Sequence, residues 1–189
     1  MAHLYLVRHG KAAAGFDAHL DPGLDATGQA QADRFARDFA AARQAAGAAA
    51  LPILTSPLRR TQETAAPLAA LWSAAPRIEP RVAELPSPEG IGLAARGPWI
   101  RGFLQGRWSD ADASLLAWRD ALLAALAAVP EDSVIFTHFI AINVAVGAAA
   151  GAAEVMVSQP DHCSCTEIAV DGGRLTVLAE GRQLETQVL

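Results

Sequence analysis

The segment that most constrains the fold of this chain is residues 4–10. Its first four residues form a short apolar run with β-branched and aromatic members, which predicts a buried strand. The run ends directly in Arg8, His9 and Gly10. In an open α/β sheet, ligands bind in the crevice outside the carboxyl ends of the strands. An arginine and a histidine there supply an anion-binding group beside a nucleophile or proton carrier.

Three later strands are predicted to end in the same way. Residues 51–55 lead into a segment with Ser56 and Arg60, residues 77–83 lead into Glu84, and residues 133–137 lead into His138. If the four strands are parallel neighbours, these side chains converge on one edge of the sheet. Two arginines, two histidines and one carboxylate around one crevice suit a phosphate ester and an acid catalyst.

Helices are predicted between these strands. A long alanine-rich helix runs from Asp25 to about Ala46, with Asp25 or Thr27 as its N-cap and Gly47 as its stop. The other predicted helices cover residues 56–71, 110–129 and 139–150, the first of them capped by Ser56 with Pro57 in its first turn. Residues 165–170 and 174–180 predict a C-terminal hairpin. The alternation predicts an α/β three-layer sandwich, with a mostly parallel central sheet and helices on both faces.

These segments resemble the motifs of the histidine phosphatase superfamily, which includes the cofactor-dependent phosphoglycerate mutases. The resembling stretches, in chain order, are Leu6-Val7-Arg8-His9-Gly10, Leu24-Asp25 with Gly28 and Gln31-Ala32, Ser56-Pro57-Leu58 with Arg60 and Thr64-Ala65, Val82-Ala83-Glu84, and Ile135-Phe136-Thr137-His138. The resemblance spans most of the chain and places the motifs in the family's order.

The resemblance implies a role for each residue of the set. Arg8 and Arg60 bind the phosphate, and His9 is the nucleophile that forms a phosphohistidine. Glu84 is the general acid, and His138 donates to the transferring oxygens. The site needs no metal and no organic cofactor, because the two arginines supply the charge that a metal ion provides elsewhere.

Two of these assignments have rivals close by in the sequence. Arg59 competes with Arg60, and Glu89 lies on the same loop as Glu84. The spacing of the family motifs favours Arg60 and Glu84.

Several positions depart from the pattern of the mutases in this superfamily. Gly15 stands where those proteins place a phosphate-binding asparagine, and Lys11-Ala12 replaces an acidic residue followed by a hydroxyl. Phe139 replaces a common glycine and Glu63 a common glutamine. These differences favour the phosphatase branch, because a mutase has to retain and re-orient a bisphosphate.

We therefore predict a histidine-type acid phosphatase that hydrolyses a small phosphorylated metabolite or a phosphorylated residue. The alternatives are a phosphomutase and a catalytically inactive module that binds a phosphorylated ligand. A hydride-transfer enzyme is disfavoured, since no Gly-x-Gly-x-x-Gly follows a predicted strand.

Residues 86–108 form the irregular part of the chain, rich in proline, glycine, tryptophan and arginine. Because they follow Glu84, they are expected to form a wall or lid over the site. Arg96, Arg101 and Arg107 then either contact distal anionic groups of a substrate or are solvated on a packed excursion.

Composition bounds the class of protein. The 189 residues suggest one domain over residues 1–189. A net charge of -5 opposes nucleic acid or an anionic membrane as the main partner. Neither a signal peptide nor a convincing transmembrane run is recognisable, which favours a cytoplasmic protein. Oligomerisation stays open.

Cys163 and Cys165 are the two cysteines of the chain. With Asp161 and His162 they could be metal ligands, but a structural zinc site usually has a second ligand pair, and the sequence offers none. Reduced cysteines at the start of a strand are the favoured interpretation.

Overall fold

A six-stranded sheet forms the centre of the computed structural model, which describes residues 1–15 and 18–184. The strands are β1 Ala2–Arg8, β2 Ile53–Thr55, β3 Arg77–Ile78, β4 Ser133–Thr137, β5 Cys165–Asp171 and β6 Arg174–Ala179. Their order across the sheet is β3-β2-β4-β1-β5-β6. The first four are parallel, and β5 and β6 form an antiparallel hairpin beside β1. The predicted α/β sandwich with a C-terminal hairpin is confirmed.

Helices cover both faces of the sheet. They are α1 Ala26–Ala45, α2 Arg59–Trp72, α3 Leu93–Leu104, α4 Ala113–Ala127 and α5 Phe139–Ala150. Alternate residues of β1 face opposite layers, as the pleat of a strand requires. Tyr5 and Val7 pack against α1 and α2, whereas Leu4 and Leu6 pack against α4 and α5. None of the described helices is long and apolar enough to cross a membrane.

The first long helix follows the prediction closely. The Asp25 carboxylate accepts a hydrogen bond from the Gly28 amide at 2.7 Å and so caps α1. The helix stops where Gly47 takes a φ of 65°, in the left-handed region.

Two glycines allow the end of β1 to pass close to the first turn of α1. A Cβ atom on Gly28 would lie 2.1 Å from the Lys11 carbonyl oxygen, and one on Gly10 would lie 2.6 Å from the Gly28 carbonyl oxygen. Both glycines are therefore required by close backbone approach, and this approach fixes where His9 is held.

The prediction of a strand over residues 77–83 is wrong beyond Ile78. β3 has two residues and lies at the edge of the sheet, and a 3₁₀ turn, Pro80–Val82, follows it. Pro80 has no amide hydrogen to donate to a ladder, which ends the strand. Glu84 therefore reaches the site from a turn rather than directly from a strand end.

The prediction that Ser56 caps the second helix is also wrong. α2 begins at Arg59, and its N-cap residue Leu58 makes no side-chain capping hydrogen bond. The Ser56 hydroxyl accepts from the Leu58 amide at 3.2 Å and bonds to His138. Pro57 consequently lies before the helix and not within its first turn.

A helix lies within the stretch expected to be irregular. α3 contains glycines and Pro98, which are poor helix formers. Packing overrides these propensities, because Ile100 is buried with Leu85, Leu115 and Phe139. The next helix, α4, starts three residues later than predicted, where the Asp112 carboxylate accepts from two amides of its first turn.

Candidate active site

The carboxyl ends of the parallel strands bring the predicted site residues together. His9 follows β1 and His138 follows β4. Arg60 lies in the first turn of α2, after β2, and Glu84 lines the same cavity. His9, Arg60 and Glu84 are each 5% exposed, and His138 is fully buried. Burial of four ionisable side chains in one place is costly and is typical of a functional site.

His9 is held as a neutral imidazole, and its Nε2 lone pair accepts a hydrogen bond from Arg60. Its Nδ1 donates to the Gly10 carbonyl oxygen at 2.7 Å, which leaves Nε2 unprotonated. The Arg60 Nε donates to that Nε2 at 3.2 Å. Burial, with Arg60 and Arg8 nearby, holds the pKa of His9 well below its usual range. A nucleophilic nitrogen is therefore present throughout the neutral pH range.

The Arg8 guanidinium is held by a backbone carbonyl and an aromatic ring rather than by a carboxylate. Its Nη1 donates to the Pro160 carbonyl oxygen at 2.8 Å, and its guanidinium lies 5.0 Å from the centre of the Phe139 ring. Its Nε is buried with no hydrogen-bond partner among the described residues. Burial lowers the pKa of Arg8 to about 10, so it stays cationic at neutral pH. Phe139, a departure from the family pattern, thus supports the arginine.

Glu84 is a buried carboxyl group at the wall of the cavity. Its Oε1 accepts from the Leu85 amide at 3.1 Å, and its Oε2 is buried without a partner among the described residues. Burial raises the pKa of Glu84, although Arg60 and Arg8 act in the opposite direction. A raised pKa favours the protonated form that an acid catalyst needs. The rival Glu89 is exposed and does not line the cavity.

His138 lies next to His9 and is not among the residues that line the cavity. The two ring centres are 5.2 Å apart, and the His138 Nε2 lies 2.8 Å from the Ser56 hydroxyl oxygen. Its Nδ1 is buried and has no hydrogen-bond partner in the described part of the chain. Burial and the charges of Arg60 and Arg8 lower the pKa of His138 well below its usual range. If the Ser56 hydroxyl donates to Nε2, the ring proton is on Nδ1 and can be donated.

Asp21 caps the helix that carries Arg60, a role that the sequence patterns did not predict. Its carboxylate accepts from the Arg59 amide at 2.8 Å, which caps α2 from a separate loop. The same carboxylate oxygen lies 3.9 Å from the Arg60 Nη1. Because Asp21 is 43% exposed, this ion pair contributes little stability, and the cap is its main contribution.

Replacing Asp21 by alanine should lower the free energy of unfolding by about 1 kcal/mol, because α2 has no other side-chain cap at Leu58. Asp21→Asn should retain most of that stability, since an amide oxygen can also accept the Arg59 amide. Asp112→Ala removes the side-chain cap of α4, and its loss in free energy of unfolding is the reference for that of Asp21→Ala. Urea denaturation measures the free energy of unfolding of the three variants. A stable Asp21→Ala variant beside a destabilised Asp112→Ala variant would contradict the capping role.

The site opens into a cavity of about 550 Å³. One wall is the loop that follows His9, including Lys11, whose ammonium lies 3.0 Å from the Asp25 carboxylate. Apart from that pair, most of the cavity wall away from the buried cluster is small or apolar. These lining residues are Ala12, Ala13, Ala14, Gly15, Leu20, Pro22, Leu58, Leu85 and Pro86. Phe16 and Asp17 lie outside the described residues.

Of the three arginines in residues 86–108, Arg96 alone lines the cavity. Arg101 is exposed on α3, and the exposed Arg107 lies 3.2 Å from the Glu154 carboxylate. Pro86 also lines the cavity. The stretch therefore contributes one cation to the wall, and of the two alternatives predicted for Arg101 and Arg107 their positions agree with the solvated one.

His162 also lines the cavity, with its ring centre 6.1 Å from that of His9. Burial and Arg8 lower its pKa to about 4. β5 runs antiparallel to β1, so residues just before β5 lie where β1 ends. That topology is the signal that could have placed His162 here. Within residues 1–15 and 18–184, no group of three metal-ligating side chains is found, and Cys163 and Cys165 are free thiols.

Comparison with known proteins identifies the family. Residues 4–182 match the family model for the histidine phosphatase superfamily (branch 1), and the chain belongs to that superfamily. A PE-PGRS family protein of Mycobacterium tuberculosis is 40% identical over 114 residues, which cover 51% of this chain. The match spans only 18% of that protein.

Solved structures share the fold over almost the whole chain. Phosphoserine phosphatase of Entamoeba histolytica, in complex with 3-phosphoglyceric acid, has a TM-score of 0.74 at 18% identity and covers 97% of this chain and 98% of its own. YhfR of Bacillus stearothermophilus has a TM-score of 0.76 at 21% identity, with 98% of each chain covered. A mycobacterial glucosyl-3-phosphoglycerate phosphatase, complexed with VO3, has a TM-score of 0.68 at 21% identity and covers 94% of this chain and 97% of its own. Family membership supports a phosphatase or phosphomutase activity.

Proposed function

We propose that the protein is a metal-independent phosphomonoesterase that works through a phosphohistidine on His9. The observation that carries the proposal is the state of His9, because its Nδ1 is committed to the Gly10 carbonyl and its unprotonated Nε2 faces Arg60, whose hydrogen bond to that nitrogen a bound phosphoryl group would replace. We take residues 1–189 as one catalytic domain, since the site draws on residues from both ends of the chain.

In the first step, the His9 Nε2 lone pair forms a bond to phosphorus while the bond from phosphorus to the ester oxygen breaks. Arg8 and Arg60 neutralise charge on the phosphoryl oxygens, where the transition state concentrates it. Protonated Glu84 gives its proton to the leaving oxygen, so an alcohol departs. His138 donates to a phosphoryl oxygen.

In the second step, the Glu84 carboxylate accepts a proton from water as that water attacks phosphorus. The bond between phosphorus and Nε2 breaks, and inorganic phosphate leaves with His9 and protonated Glu84 restored. Water accepts the phosphoryl group from His9 in this scheme. The cavity therefore has to admit a water molecule and needs no binding site for a second organic acceptor.

The walls of the cavity favour hydrolysis over a mutase reaction. A mutase has to hold and re-orient two phosphoryl groups, but in the loop that follows His9 the residues Ala12 to Gly15 present no side-chain donor, and Lys11 is paired with Asp25. Arg8 and Arg60 are needed for the transferring phosphoryl group, so among the described residues Arg96 is the one lining arginine left for any second anionic group. The partner is therefore a small phosphate ester or a phosphorylated residue, and nucleic acid is not expected to bind.

A panel of phosphorylated metabolites, phosphopeptides and an aryl phosphate tests the proposal. We expect inorganic phosphate to be released in the presence of EDTA, because Arg8 and Arg60 supply the positive charge. Transfer of phosphate between positions of one substrate, without release, would establish a mutase instead. Activity that disappears with EDTA and returns with zinc would contradict the metal-independent site.

A further inference from the structure

Arg96 lies in the wall of the cavity, on the side of the proposed general acid. It is half-buried, and its Nη2 donates to the Leu85 carbonyl oxygen at 2.8 Å. Its Nη1 donates to the Ser87 hydroxyl. Both acceptors belong to the segment directly after Glu84, so the guanidinium is fixed relative to the acid. An arginine held by two hydrogen bonds loses little further freedom when it binds a ligand.

The charge of Arg96 is offset only in part, because burial lowers the pKa of Arg96 more than the nearby Glu84 carboxyl group raises it. In residues 1–15 and 18–184, no carboxylate lies within 4.0 Å of its guanidinium. The other cations near the cavity mouth differ, because Lys11 lies 3.0 Å from Asp25 and Arg60 lies 3.9 Å from Asp21. A half-buried cation with no carboxylate in contact favours an anionic ligand, since the ligand offsets the cost of its burial.

The reaction fixes which part of a substrate meets Arg96. The phosphoryl group has to lie against His9, Arg8 and Arg60, and Glu84 has to reach the ester oxygen. Whatever the leaving alcohol bears next to that oxygen extends along the wall that contains Arg96. Leu58, Leu85 and Pro86 also line the cavity and give little recognition to a polyhydroxylated group, whereas His19 and His162 are polar lining residues that carry no permanent charge.

We propose that Arg96 binds a second anionic group on the leaving alcohol, so that the substrates are phosphate esters of acid-bearing alcohols. A carboxylate or a second phosphate close to the ester oxygen has the required chemistry. This inference rests on the proposed function, because it uses the position of Glu84 as the acid to orient the substrate.

Pairs of esters that differ only in the second anion test the inference. O-phosphoserine is compared with O-phosphoethanolamine, 3-phosphoglycerate with glycerol phosphate, and a bisphosphate with its monophosphate. We expect the wild type to favour the anionic member of at least one pair by roughly 10- to 100-fold in kcat/KM, the scale of a charge-assisted hydrogen bond. The carboxylate and bisphosphate pairs distinguish the two kinds of anion.

Arg96→Gln should remove that preference, mainly by raising KM for the anionic ester, so that the ratio of kcat/KM between the anionic and the neutral ester falls close to one. Arg96→Lys should restore part of it, since the charge remains. Arg101→Gln, on the exposed face of the same helix, is the matched control and should change neither ester. An Arg96→Gln variant that slows both members of each pair equally, or a wild type with no preference, would overturn the inference.

Failure of the proposed function has a separate signature. If the wild type hydrolyses no ester, including an aryl phosphate, the esterase proposal fails. The same pairs are then titrated calorimetrically against the wild type and Arg96→Gln. A tighter Kd for the anionic ester that is lost in Arg96→Gln would support the binding site, and equal Kd values would overturn it.

Discussion

His9→Ala should reduce phosphate release by about four orders of magnitude or more, the scale seen when a covalent nucleophile is removed. Arg8, Arg60 and Glu84 would remain around the cavity, but no other described side chain offers an unprotonated nitrogen at the position of the His9 Nε2. Steady-state phosphate release from the best ester of the panel, compared with the wild type, measures the loss.

Two comparisons make this result specific. His3→Gln changes a histidine at the start of β1, where the ring contacts Glu167 away from the cavity, and should leave activity unchanged. His9→Ala should still bind vanadate or inorganic phosphate, because both arginines are retained. A His9→Ala enzyme with a tenth or more of wild-type activity would be incompatible with a His9 nucleophile.

Glu84→Gln should slow phosphorylation of His9 by alkyl phosphates by about 10²- to 10⁴-fold, the usual range for general acid catalysis. An alkoxide needs a proton as it leaves, and an amide cannot supply one. A nitrophenolate leaves without a proton, so the first turnover with nitrophenyl phosphate should slow far less. Rapid-quench measurement of the first turnover separates this step from dephosphorylation, which uses the same carboxylate.

Glu89→Gln is the matched control for this experiment. Glu89 lies on the same loop but is exposed and outside the cavity lining. We expect it to behave as the wild type with both classes of ester. Equal losses for alkyl and aryl esters in Glu84→Gln would show that Glu84 is not the acid, and a selective loss in Glu89→Gln would transfer the role to Glu89.

Much of the fold followed from local sequence patterns. The apolar run before Arg8 and the run over residues 133–137 are strands, and Asp25 and Gly47 mark the limits of α1. These features depend on hydrophobic periodicity and on capping, which act over a few residues. Since parallel strands end at one edge, the meeting of His9 and His138 could also be inferred from sequence.

The remaining features depend on contacts between distant residues. The predicted cap at Ser56 failed because the hydroxyl bonds to His138, while Asp21, from a loop 38 residues before Arg59, caps the helix. α3 forms despite Pro98, because burial of Ile100 outweighs its weak local propensity. His162 joins the cavity through the antiparallel pairing of β5 with β1, which no local pattern indicates.

The central claim is that a phosphoryl group is bonded to His9 during turnover, and one measurement tests it most directly. Wild-type protein is mixed with a ³²P-labelled ester for a single turnover, quenched in alkali, digested and mapped by peptide mass. We predict one label per site, on the peptide that contains His9, stable in alkali and lost in acid as a phosphoramidate is. Label on Ser56 or another hydroxyl, or no labelled protein while the ester is consumed, would contradict the account.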